Sequence, residues 1–157
     1  MRENGGPIPL RECAMLAKYL TEDHRDCDDQ FARAEAAASD GDVAAARVAF
    51  AEFETNLSHH LEMEEGVLFP EFEQATGMHG VGPTAVMRME HEQMRGLLGQ
   101  MQGALAAEDL DSFLGIGETL NILIQQHNMK EEHMLYPMAE QALAASAERL
   151  LERMQAL

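Results

Sequence analysis

Apolar residues recur every three or four positions along most of this 157-residue chain, and only a few segments interrupt the recurrence. One stripe reads Val43, Ala46, Phe50, Phe53, Leu57, His60, Glu64, Val67; another reads Leu110, Phe113, Gly117, Leu120, Ile124, His127, Glu131, Met134, Met138. Such spacing lines one face of an α-helix and suits antiparallel helices packed at shallow angles. The interruptions divide the chain into four long helices. A Gly/Pro-rich lead over residues 1–9 precedes the first, which runs from residue 10 to about Ala38. Ser39-Asp40-Gly41-Asp42 is a turn whose last residue suits a helix N-cap, and the second helix then reaches about Gln74, bent near Pro70. Residues 76–83 are the longest break, and Pro83 fits the first turn of the third helix. That helix ends near Ala107; the fourth begins at Glu108-Asp109 and continues to about Ala144, and a short C-terminal helix covers about Ser146 to Met154. Residues 10–157 are expected to form one domain, long enough to bury a core.

The stripes contain residues that do not belong in an apolar core. His60, Glu64, His127 and Glu131 lie in the stripes themselves; His24 falls between Leu20 and Cys27, and His91 between Met87 and Met94. Each member of one set, His24, His60, Glu64 and Pro70, is matched 67 residues later by His91, His127, Glu131 and Pro137. Residues equidistant from a hairpin turn come to lie side by side. The midpoint of His24 and His60 is residue 42, that of His91 and His127 is residue 109, and that of Glu64 and His91 falls between residues 77 and 78. All three midpoints coincide with breaks, so the six residues are expected in one layer.

Histidine followed four residues later by glutamate projects from one helix face, one turn apart. Imidazole and carboxylate hold iron, zinc or manganese. Four imidazoles and two carboxylates are most economically shared as two histidines per metal with Glu64 and Glu131 bridging. A solvent-derived oxide or hydroxide would complete the bridge, leaving a position for a small ligand such as O2, NO or peroxide. The alternative is a metal-free core network, which would bury carboxylates at high cost. His59, His79 and His133 are read as surface residues. Glu65 and Glu132 are expected to face solvent; Asp23 and Glu90 are placed to accept a bond from an imidazole N–H or to lie on the surface. Cys27 and Met94, equivalent under the repeat, are candidates to line a ligand pocket or simply to pack.

Composition narrows the classes. Hydrophobic residues make up 46%, and 28 acidic against 11 basic residues give a net charge of −17. That field repels phosphate backbones and anionic surfaces, so neither nucleic acid nor membrane is an expected partner. No apolar run approaches the roughly 18–20 residues that span a bilayer, and the N-terminus has no signal-like stretch, so a cytoplasmic location is expected. Cys13 and Cys27 are expected to be reduced core residues.

Over residues 8 to 144 the chain resembles the bacterial hemerythrin-like domains, also called HHE cation-binding domains. The resemblance rests on His24, on His60 and Glu64 followed by Leu68-Phe69-Pro70, on Glu90-His91-Glu92, and on His127 and Glu131 followed by Leu135-Tyr136-Pro137. It implies an all-α, antiparallel up-down-up-down four-helix bundle and two iron ions held by His24, His60, Glu64, His91, His127 and Glu131. Oxygen carriers of this type have a further histidine one turn after the third-helix ligand, where this chain has Arg95. The remaining ligand set is similar to the di-iron domain of Ric/YtfE-type iron–sulfur repair proteins, which also carry a cysteine-containing N-terminal domain where this chain has about nine residues. The primary expectation is therefore a protein binding O2 or NO for sensing, storage or delivery, with a redox or signalling protein as partner. The alternatives are an enzyme reducing NO or peroxide, or repairing clusters, at the same centre, and a bundle with a purely structural metal.

Overall fold

The computed structural model describes residues 14–157, and Cys13 and the N-terminal lead lie outside them. Helix α1 (Met15–Ser39) is joined to α2 (Val43–Met63) by the predicted turn. There Gly41 takes a left-handed φ of 76°, the Asp42 N–H donates back to the Ala37 carbonyl (3.0 Å), and the Asp42 carboxylate accepts from the Ala45 N–H. The second hairpin repeats this device: Glu108 takes φ 56° in the glycine's place, the Asp109 N–H donates to Ala104 (2.9 Å), and Asp109 caps α5 (Leu110–Lys130) at Ser112. Between the hairpins, Gly77 ends α3 (Phe69–Thr76) in the left-handed region, and Pro83 opens α4 (Pro83–Ala106).

The second and fourth helices are not plain α-helices. α2 passes through a π turn (Glu64–Leu68) into α3, and α5 passes through the equivalent π turn (Glu131–Leu135) into α6 (Tyr136–Ala142). In each, an aromatic N–H (Phe69, Tyr136) donates to the carbonyl of the glutamate five residues earlier. The next residue is proline, which has no N–H to donate and would clash with the carbonyl four residues back in an α-helix. The wide turn removes that conflict, so Pro70 marks a π turn rather than a simple bend. The extra residue also shifts the buried face. Met134 and Met138, read as inward, are 56% and 37% exposed, while Leu135, Tyr136 and Ala139 are buried instead.

α1 packs on α2 and α5, and α4 packs on the same two, closing a four-helix ring. After a 3-10 turn (Ala144–Ser146), helix α7 (Ala147–Gln155) buries Leu150 and Met154 against one end of the bundle, touching α1 and the first π turn. Two apolar clusters fill the interior. Phe31, Phe50, Phe53 and Phe113 pack edge-on toward the hairpin turns, and Leu16, Leu20, Leu68, Phe72 and Met154 belong to the other end. His24 separates Leu20 in one cluster from Cys27 in the other, so the polar layer divides the core. Among the described residues, no helix is long and apolar enough to cross a membrane.

Candidate metal centre

The four helices bring all six sequence-predicted residues together in the buried layer, where Glu64, Glu131 and His91 have no exposed surface. Two overlapping donor groups result: His24, His60, Glu64 and Glu131, and Glu64, His91, His127 and Glu131, with the donor atoms of each within 4.8 Å of one another. Glu64 spans both, its Oε1 2.7 Å from His60 Nε2 and its Oε2 3.1 Å from His91 Nε2. Glu131 Oε1 lies 3.2 Å from His24 Nε2 and 3.1 Å from His127 Nε2.

Every imidazole is oriented by a carboxylate at its other nitrogen. His60 Nδ1 donates to Asp23 (2.6 Å), His127 Nδ1 to Glu90 (3.2 Å), His91 Nδ1 to Glu65 (2.8 Å) and His24 Nδ1 to Glu132 (3.4 Å). The 67-residue repeat relates the first bond to the second and the third to the fourth. Glu65 and Glu132 thus correct the expectation that they face solvent: each reaches sideways to a histidine on a neighbouring helix. Glu65 is further held by both Arg95 guanidinium nitrogens (3.0 and 2.8 Å), and Lys130 pairs with Glu90. Arg95, where the respiratory carriers have a histidine, therefore sits outside the donor set and braces His91 through Glu65. His59, His79 and His133 are not in the layer, as read from the sequence.

A carboxylate accepts hydrogen bonds only, so an Nδ1–H directed at it leaves the Nε2 lone pair of a neutral imidazole pointing into the layer. His91 Nε2 and His127 Nε2 face one another at 3.3 Å. Among the described residues, Glu64 Oε2 and Glu131 Oε2 are fully buried without a hydrogen-bond partner, the 3.1 Å approach of His91 lacking hydrogen-bond geometry. Inward lone pairs and orphaned buried carboxylate oxygens fit a cation and do not fit a self-satisfied core network. Without one, protons take its place. Burial alone would lower His60, but the Glu64 carboxylate and the bond to Asp23 outweigh it and push the imidazole up to about 10. Burial would raise Glu64, yet His60 holds it well below the usual carboxylate range.

Tyr136 was missed as a site residue. Its hydroxyl lies 2.7 Å from Glu64 Oε1, 3.1 Å from Glu131 Oε1, 3.1 Å from His24 Nε2 and 3.3 Å from His60 Nε2. The signal was present in the two Leu-aromatic-Pro copies, which differ by one hydroxyl. At the equivalent place Phe69 stacks on His91 with ring centroids 5.5 Å apart. The six-residue layer is symmetric, but its surroundings are not.

On the hairpin side of the layer, His24, His60 and His127 share a small cavity with Cys27, Leu57, Leu61, Met94, Ile124 and Asn128. The space open to the centre of a water is about 10 Å³, near the minimum for holding one water molecule. Cys27 and Met94 thus line a pocket beside the layer. Cys27 is buried, burial with Asp23 pushes its thiol up, and its sulfur accepts from Asn56 Nδ2 (3.2 Å); a protonated thiol is a poor nucleophile and a poor ligand.

Comparison with curated proteins and with solved structures gave no match. Comparison with protein families gave one, described as the hemerythrin HHE cation binding domain, over residues 15–139. The match covers both hairpins and both π turns and includes all six layer residues. With a buried His/Glu layer that fits a metal site, the chain belongs to the hemerythrin HHE cation-binding domain family.

Proposed function

We propose that this protein is a non-haem di-iron protein that binds O2 or NO. The two donor groups would each hold an iron ion, His24 and His60 on one and His91 and His127 on the other, with Glu64 and Glu131 serving both and solvent-derived oxide or hydroxide completing the donor set. The observation that carries the reading is the orientation of the four imidazoles: each is fixed by a carboxylate at Nδ1 so that Nε2 faces a buried layer containing two unpartnered carboxylate oxygens. Two histidines, one at a time from neighbouring helices, and two shared glutamates leave each ion short of six donors. Iron in such a site supplies reversible ligation of a diatomic molecule.

The residues around the layer support binding. The Asp23, Glu90, Glu65 and Glu132 carboxylates raise imidazole basicity and fix ring planes. The small, largely apolar cavity walled by Leu57, Leu61, Met94 and Ile124 lies against the imidazoles and disfavours larger anions. The role is sensing, storage or delivery in the cytoplasm, with a redox or signalling protein receiving the result. An anaerobic optical titration of the iron-loaded protein tests it. Spectral changes that saturate with O2 or NO and reverse on degassing are expected; no spectral response to either gas contradicts the reading.

A further inference from the structure

The donor set of one half-site contains an oxygen that the other lacks. The Tyr136 hydroxyl is 2.7–3.3 Å from Glu64 Oε1, Glu131 Oε1, His24 Nε2 and His60 Nε2, which are the four donors of the first group. Adjacent donors in an octahedral shell with metal bonds of about 2.1 Å stand about 3 Å apart. The hydroxyl is therefore spaced from its four neighbours as a fifth donor of the same shell would be. In a purely structural role, a buried phenol needs one or two hydrogen-bond partners; this one touches four metal-type donors and is fully buried. Among the described residues the second group has no such atom, because its equivalent residue is Phe69, stacked on His91.

We propose that Tyr136 is a seventh protein ligand, bonding through its phenolate oxygen to the ion held by His24 and His60. The phenolic proton is released to bulk water as the oxygen–metal bond forms. The inference rests on the di-iron reading above. It makes the two positions chemically unequal: the Tyr136 side carries an additional anionic oxygen and favours the higher oxidation state, while the Phe69 side keeps the more open shell.

The chain has two tyrosines, Tyr19 and Tyr136, which makes the test clean. Wild type, Y19F and Y136F are loaded with iron, oxidised, and compared by iron content, visible absorption and resonance Raman scattering. Wild type and Y19F are expected to show a tyrosinate-to-iron(III) charge-transfer band that enhances phenolate ring vibrations, and Y136F to retain iron while losing both. Iron-replete wild type without phenolate vibrations, or a Y136F that keeps them, overturns the ligand assignment and leaves the di-iron reading standing. Wild type that takes up no iron overturns both. If Y136F does not fold, Y19F decides alone, since Tyr136 is then the only phenol that remains.

Discussion

At the scale of the residue, the proposed metal layer rests on Asp23, Glu65, Glu90 and Glu132, which orient its imidazoles, as well as on the six donors. Each carboxylate holds one imidazole by Nδ1, and the shortest of these bonds is His60 to Asp23 at 2.6 Å. Replacing Asp23 with Asn keeps shape and removes charge, so iron affinity is expected to fall by about 10- to 100-fold, measured by competition with a chelator, with little change in helix content. Of these four carboxylates, the sequence made Asp23 and Glu90 legible as partners because each precedes a histidine of the layer. Glu65 and Glu132 were not legible: helix period turns them away from the donors on their own helix, and only the neighbouring helix's position shows what they reach. Tyr136 was hidden for a related reason, since a tyrosine in an apolar stripe reads as core until its hydroxyl's neighbours are known.

At the scale of the element, capping chemistry and hydrophobic period located the hairpins, the glycine-rich break and the C-terminal helix. The two π turns escaped because the three-four period assumes a constant twist, and one added residue rotates everything after it. The clue was local: each Leu-aromatic-Pro sits where a proline would otherwise clash with the preceding turn. The hairpin turns carry a sharper prediction. Gly41 and Glu108 occupy equivalent left-handed positions, at φ 76° and 56°, and such a backbone costs a non-glycine residue about 1 kcal/mol. Glu108→Gly is expected to stabilise the fold by up to about 1 kcal/mol, and Gly41→Ala to destabilise it by a similar amount. Among the described residues nothing lies within 4 Å of a Cβ built at Gly41, so backbone strain sets the sign there. Urea unfolding of the two variants checks it; equal shifts in one direction would contradict the shared turn geometry.

At the scale of the whole molecule, the layer interrupts the apolar core and the bundle must hold charge in its interior. Ion pairs away from the layer help to join the elements. Glu73 on α3 accepts from Thr84 (2.9 Å) and pairs with Arg88 (2.8 Å) on α4. Burial would raise its carboxyl, but the bonds to Arg88 and Thr84 outweigh burial and hold it below the usual carboxylate range. Its contribution is therefore fully present above the ordinary glutamate range and is lost as pH falls through the lowered value. Stability measured from neutral to acid pH should decline, and Glu73→Gln should make the acid limb of that decline shallower; a variant with an unchanged acid limb would show that the pair contributes nothing.

The central claim is that the buried layer is a two-ion site with Glu64 and Glu131 shared between the ions. Iron per folded chain, determined by elemental analysis after anaerobic reconstitution and removal of loosely bound metal, tests it most directly when wild type is compared with Glu64→Ala/Glu131→Ala. Two irons per wild-type chain and none or one in the double variant are predicted; fewer than one iron in wild type, or an unchanged content in the variant, contradicts the claim.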